Sequence, residues 1–193
     1  MACRWLEALS IFDAERQKTS CFANRPGCYN GVMTDRKDIP GVIAPPPLIA
    51  LAAVLIGLLL DWLAPVYVLA TLLRPWWCGF VGGILVASGF AIGIAGLQRF
   101  FEAETNVNPW KPALHLTTAG VYRYVRNPMY AGMLVVAGGI GIAFASDWTL
   151  VMVVPLAFIL HYGVVVREER YLEAKFGEPY RQYKTRVARW GIW

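Results

Sequence analysis

Charge is what this sequence has least of. Only 16% of its 193 residues are acidic or basic, against about a quarter in a typical soluble domain, while 57% are hydrophobic. That balance excludes an ordinary water-soluble domain. Histidine and cysteine are also scarce: there are two His, and four Cys at Cys3, Cys21, Cys28 and Cys78. No two of these stand at metal-ligand spacing and no His cluster lies near them, so neither a metal site nor a disulfide framework is expected. Residues 1–32 lack the apolar run and small-residue cleavage site of a signal peptide. The final residues, Trp190, Gly191, Ile192 and Trp193, do not form a prenylation box.

What is present is long apolar sequence. Leu48–Leu60, Pro75–Gln98, Pro128–Ser146 and Trp148–Val166 contain no Asp, Glu, Lys or Arg. Crossing a hydrocarbon core takes about 20 helical residues, somewhat fewer where the bilayer thins. The reading is therefore an all-α membrane protein with about four transmembrane helices, over roughly 47–65, 77–98, 129–145 and 148–166. The last two form a tight hairpin that need not cross fully. Residues 41–193 are expected to be a single membrane domain, with a loop over 99–128. Residues 1–40 are expected to be a disordered N-terminal extension, with Met33 a natural start.

The net charge of +5 does not point to nucleic acid, because of where the cations lie. Of 18 Lys and Arg, six precede residue 41, four lie from Arg99 to Arg126 and seven from Arg167 to Arg189. With four spans these three segments share one side, and the positive-inside rule makes it the cytoplasmic one. Both termini are accordingly expected in the cytoplasm, with the lipid bilayer as the first partner and anionic headgroups assisting.

Local signals refine this plan. Pro45, Pro46 and Pro47 can open a helix but not continue inside one. Gly89 and Gly93, four apart, predict a face where helices approach closely, and Pro155 predicts a bend. In the tail, Leu172, Phe176, Tyr180, Tyr183 and Val187 recur at helical spacing, interrupted by Gly177 and Pro179. Two short cytoplasmic amphipathic helices follow from that pattern.

Two stretches carry chemistry. The first runs Thr117-Thr-Ala-Gly-Val-Tyr-Arg-Tyr-Val-Arg-Asn-Pro-Met-Tyr-Ala-Gly132. The second is Arg167-Glu-Glu-Arg-Tyr-Leu172, followed by Phe176-Gly-Glu-Pro-Tyr-Arg-Gln-Tyr183 and Arg186-Val187. In that order, separated by a membrane hairpin, they resemble the isoprenylcysteine carboxyl methyltransferase and phospholipid methyltransferase group over roughly residues 42–190. The resemblance implies S-adenosylmethionine as cofactor, held by Tyr122, Asn127, Pro128, Met129, Tyr130 and Glu168, with Leu114, His115, Leu116 and Thr117 forming another edge. It makes Arg126, Tyr130 and Glu169 the candidate catalytic residues, with Gly132 in support. The implied reaction is methyl transfer to a lipophilic small molecule or prenylated acceptor at the cytoplasmic face, foremost carboxyl O-methylation, with no metal.

The residue types suit this chemistry. A carboxylate answers the cofactor's ammonium or ribose, and aromatic rings suit adenine or a sulfonium. Taken alone, Glu168 and Glu169 better suit a solvated helix start, while Tyr130 suits an interfacial aromatic and Arg126 a positive anchor equally well. His161, polar inside a span, is a functional suspect or one end of an interhelical hydrogen bond. Asn127 stands where the resembled motif most often has His, and Val164 where the prenylcysteine enzymes carry a substrate-binding Arg, which leaves the acceptor open. A phospholipid amine N-methyltransferase, an NADPH-dependent sterol-type reductase and a non-catalytic membrane interaction protein are the competing readings. Met133 after Gly132 and the Phe-Gly-x-x-Tyr tail favour the methyltransferases over the reductases.

Overall fold

The structure, a computed structural model, describes residues 28–29, 32–33, 41–102 and 115–191. The expected disorder of residues 1–40 falls almost wholly outside those residues. The chain divides into two compact units, Met1–Asp38 and Ile39–Trp193. In the first, strand β1 (Cys28–Tyr29) pairs antiparallel with β2 (Val32–Met33).

The second unit is all helical. Helix α1 (Pro46–Leu63) opens on prolines in its first turn, where a missing N–H costs nothing, and ends before Pro65. A short helix α2 (Val68–Leu72) follows, then α3 (Pro75–Glu102), α4 (Pro128–Ala143) and α5 (Asp147–Leu160). Helix α5 continues through a π-helical segment, His161–Val165, into α6 (Val166–Phe176), and α7 (Glu178–Arg186) closes the unit. Three stretches, Pro46–Leu63, Pro75–Arg99 and Asp147–Phe176, are long and apolar enough to cross a membrane. Helix α4 has 16 residues, about 24 Å at 1.5 Å per residue. Large apolar side chains face outward along these helices, among them Leu55, Ile84, Phe90, Val154 and Phe158.

The closest helix pairing is α3 with α4, and glycine makes it possible. Gly82, Gly89 and Gly96 recur every seven residues on α3, as do Gly132 and Gly139 on α4. A Cβ on Gly132 would lie 2.6 Å from the Gly89 carbonyl oxygen, and one on Gly139 would lie 2.8 Å from the Val86 nitrogen. A seven-residue repeat is the seam of two helices crossing at a shallow angle. Gly93 joins Gly89 on this face, as expected: a Cβ on Gly132 would also lie 3.1 Å from the Gly93 nitrogen, while the space where Gly93's own Cβ would stand is open.

The α4–α5 hairpin is closed by polar groups. Ala145 takes a left-handed φ of 48°, and the Ser146 and Ala145 N–H groups donate to the Gly141 and Ile142 carbonyls, a Schellman closure. Ser146 caps α5 by accepting from the Thr149 N–H at 3.1 Å, and its hydroxyl bonds to Asp61 of α1. Asp147 accepts from the Val68 and Leu69 N–H groups at 2.9 and 3.1 Å, so a remote carboxylate caps α2 in the manner of an N-cap residue. The Trp148 indole donates to the Ala64 carbonyl at 2.8 Å. Trp62, Trp76 and Trp77 are exposed at this end, as interfacial aromatics are.

Pro155 is accommodated within α5, and the helical irregularity comes later, at His161–Val165, where the Val166 N–H reaches back five residues to the His161 carbonyl. Gly177, at φ 59°, makes the turn between α6 and α7. Glu173 then pairs with Arg181 and Lys184 at 3.2 and 2.9 Å, fixing the angle of that turn.

The seam makes a sharp prediction. Gly132→Val puts branched carbon into the α3 backbone and is expected to lose about 3 kcal/mol or more. Gly138→Val, further along α4 where nothing stands within 4 Å of a Cβ, is expected to be near neutral. Thermal unfolding of both variants in detergent distinguishes them; equal melting temperatures would remove the seam from the account.

Candidate active site

The motif residues converge at the end of the bundle opposite the hairpin turn. A 3₁₀ turn, Gly120–Arg123, buries Tyr122, and α4 then starts on Pro128 with Asn127 as its N-cap. The phenol of Tyr130, in the first turn of α4, donates to Glu168 Oε2 at 2.9 Å. Tyr122 reaches the same neighbourhood: a Cβ on Gly96 of α3 would lie 2.9 Å from Met129 Cγ, 3.4 Å from Pro128 Cγ and 3.6 Å from the Tyr122 oxygen.

Glu168 and Glu169 are adjacent, yet serve different partners. The π segment inserts one residue into the helical turn, which rotates everything after it by roughly 100°. Glu168 thereby meets Tyr130, and Glu169, whose side chain is 7% exposed, lies between two guanidinium groups. Arg189 grips it bidentately, Nε to Oε1 at 3.0 Å and Nη2 to Oε2 at 2.7 Å. Arg126 Nη1 stands 3.4 Å from Oε1. The Arg126 side chain is only 10% exposed, and its Nε and Nη1 are buried without a hydrogen-bond partner. Unspent donors of a buried cation are costly, so this guanidinium has capacity for an anionic or carbonyl oxygen.

Of the other edge, Leu114 lies outside the described residues. His115 is exposed, whereas Leu116 and Thr117 are half-buried, and the Thr117 hydroxyl is buried without a partner. Asn127 is buried and donates from its side-chain amide to the Arg189 carbonyl at 3.3 Å. Burial pushes the phenols of Tyr122, Tyr180 and Tyr183 above the ordinary tyrosine range. None of the three is therefore a tyrosinate base at neutral pH.

His161 belongs to the surroundings of Glu169. Its Nε2 is 3.4 Å from Arg189 Nη1, and the Trp190 indole N–H points at its Nδ1 from 3.3 Å. Sequence reasoning anticipated a hydrogen bond for His161 but placed it between helices; its partners come from the C-terminal segment. Arg189 and Trp190 were missed. Their one sequence signal is a cation and an aromatic just past the apolar face that ends at Val187, which is indistinguishable from a tail anchor.

A lipid-side feature meets the polar one. An apolar groove of about 440 Å³ runs beside the glycine seam, walled by Ala50 and Val54 of α1, Gly93 and Leu97 of α3, and Met129 and Val136 of α4. Its upper end is therefore Met129, next to Pro128 and Tyr130.

The fold and site together define an integral membrane protein with a polar, carboxylate- and arginine-bearing site at one end of an apolar helix bundle. Residues 77–179 match the model of the phospholipid methyltransferase family, more than half of the chain, and the protein belongs to that family of membrane methyltransferases. It is 28% identical over 133 residues to protein-S-isoprenylcysteine O-methyltransferase A of Arabidopsis thaliana, covering 67% of each chain. It is 25% identical over 132 residues to a probable protein-S-isoprenylcysteine O-methyltransferase of Oryza sativa subsp. japonica, covering 67% of this chain and 69% of the relative. The chain thus spans about two thirds of the length of these relatives. No solved structure matches it.

Glu169 carries the electrostatics of this end. Glu169→Ala leaves two cations without their carboxylate, a loss of about 3–5 kcal/mol for a fully buried pair. The lower figure is expected, since the Arg189 side chain is 32% exposed and solvent screens it. Denaturation of Glu169→Ala against Glu173→Ala, whose partners lie at the surface, measures the difference; equal losses would show that the buried pairing adds nothing.

Proposed function

We propose that this protein transfers a methyl group from S-adenosylmethionine to a lipophilic carboxylic acid of isoprenylcysteine type, at the cytoplasmic surface of the membrane. The observation that carries the reading is the junction at Met129, where an apolar groove facing the bilayer ends against polar groups. An acceptor whose chain lies in the groove presents its polar head at the Met129 end, beside Tyr130. The basic charge of this end supports its placement in the cytoplasm.

The residues suit the donor. Glu168 is a carboxylate for its ammonium, Arg126 has unspent donors for its carboxylate, the Thr117 hydroxyl is unpaired, and Tyr122 and Tyr130 offer aromatic faces. Bound there, S-adenosylmethionine supplies a methyl group on a cationic sulfur, which an acceptor carboxylate displaces in line. An acceptor carboxylate is already ionised at neutral pH, consistent with protonated phenols and no dedicated base. The protein's part is to align the reactants and exclude water. Glu169, between two guanidiniums, holds Arg126 in place and stays clear of the acceptor. The names of the plant relatives support the isoprenylcysteine acceptor, and the family name keeps a phospholipid amine as the second reading.

Three outcomes test this. Glu168→Ala or Tyr130→Ala is expected to abolish binding of S-adenosylmethionine by calorimetry in detergent while leaving insertion intact. Gly93→Leu, which fills the groove from a position with no neighbour, is expected to raise KM for the acceptor about tenfold or more and leave donor affinity unchanged. With a carboxylate acceptor the rate is flat from about pH 6 to 9, whereas an amine acceptor gives a rate that climbs as its proton is lost; a climbing profile would transfer the proposal to the amine.

A further inference from the structure

The last residues of the described chain lie beyond the stretch matched by the family model, which ends at residue 179, yet they bond to both pieces of chain that carry the candidate site. The Tyr183 hydroxyl donates to the Tyr122 carbonyl at 2.7 Å. Ala188 forms a parallel bridge with Val125 and accepts from the Arg126 N–H at 3.1 Å. Arg189 does most: its carbonyl accepts from the Asn127 side chain, while its guanidinium takes both oxygens of Glu169. Trp190 and Arg189 meet His161 at the start of the π segment. One residue is thus bonded to the loop that precedes α4 and to the helix turn that bears the paired carboxylates.

Near the site these two pieces of chain are otherwise joined chiefly by the Tyr130–Glu168 hydrogen bond and the long Arg126–Glu169 pair. Their separation decides whether Tyr130 and Glu168, each one to three residues from an Arg189 contact, stand at a usable distance.

We propose that Arg189 is a positioning residue of the methyl-donor site, clamping the Tyr122–Asn127 loop to the Glu168–Glu169 turn and keeping Glu169 from collapsing onto Arg126. The inference rests on the donor reading above for its consequence, but not for its geometry. With Arg189 in place, Glu169 is satisfied and Arg126 keeps unspent N–H groups. Without it, Arg126 is the cation left beside Glu169 among the described residues, and the two bond, which spends the donors that the ligand needs. A planar bidentate fork is required; lysine supplies a single point charge.

The test uses the full chain in detergent, with Arg189→Lys, Arg189→Ala and the double variant Arg189→Ala with Glu169→Gln. Two readouts are taken: amide hydrogen exchange over residues 122–130, and calorimetric affinity for S-adenosylmethionine. Exchange is expected to speed up in Arg189→Ala, at the Arg126 amide first, and donor affinity to weaken about tenfold or more, the loss of one hydrogen bond to a charged group. Arg189→Lys is expected between wild type and Arg189→Ala. The double variant is expected to recover part of the affinity, because a neutral carboxamide in place of the Glu169 carboxylate no longer captures Arg126. A purely structural role lowers the melting temperature of the double variant at least as far and recovers no affinity. Unchanged exchange over 122–130 in Arg189→Ala overturns the clamp whatever the ligand does. If exchange speeds up while wild-type protein binds no S-adenosylmethionine, the clamp stands and the donor reading falls.

Discussion

Backbone contact between α3 and α4 is the constraint from which the rest of this membrane unit follows. Two helices in lipid gain nothing from hydrophobic exclusion, so they associate through close van der Waals packing. Glycine at Gly82, Gly89, Gly132 and Gly139 brings their main chains together, and Gly96 makes room for the Met129 and Pro128 side chains. The pairing fixes the start of α4, and with it Pro128, Met129 and Tyr130, against the inner end of α3. Helix α1 leans on α5 at Gly57, where a Cβ would meet the Thr149 main chain at 2.5 Å. The space beside the seam, between α1 and α3, is left as the apolar groove.

The two ends of the bundle solve different problems. At the hairpin end, each polar group named above has a structural partner: Ser146 with Asp61, Asp147 with the α2 N-terminus, Trp148 with Ala64. In a bilayer, irregular backbone survives only if its N–H and C=O groups are answered by protein, and these contacts answer them. At the other end, satisfaction is incomplete. Arg126 and Thr117 keep buried polar atoms without a hydrogen bond, the kind of local inconsistency expected where a ligand belongs.

The paired carboxylates show how backbone irregularity divides labour. A regular helix through residues 161–165 would turn Glu168 and Glu169 about 100° away from their present partners. The π segment places Glu168 against Tyr130 and Glu169 against Arg126 and Arg189. Hydrogen bonding by residues from four separate stretches then makes one site. The phospholipid methyltransferase family match spans three of these stretches, and the C-terminal segment completes them.

Much was legible in the sequence because a bilayer imposes rules that a single chain must obey locally. Apolar runs of spanning length, prolines at Pro46 and Pro47 that open α1, and Gly177 between two amphipathic helices each fix an element through its own neighbours in sequence. Motif order also joined the Asn127–Tyr130 loop to Glu168 and Glu169 by resemblance. What sequence could not assign was pairing across distance. The Gly89–Gly93 spacing pointed to the packing face, and both main chains do meet Gly132, but only three-dimensional packing extended that face to Gly82 and Gly139 and turned the open side of Gly93 to the groove. The apolar run through His161–Val165 reads as ordinary helix, and the π segment there was not legible in it. The same holds for Asp147 capping a helix 79 residues away and Arg189 holding Glu169. Composition and motif determined a membrane methyltransferase; the tertiary structure alone decided which charges share a partner, because electrostatic pairing depends on distance in space and the sequence records only distance along the chain.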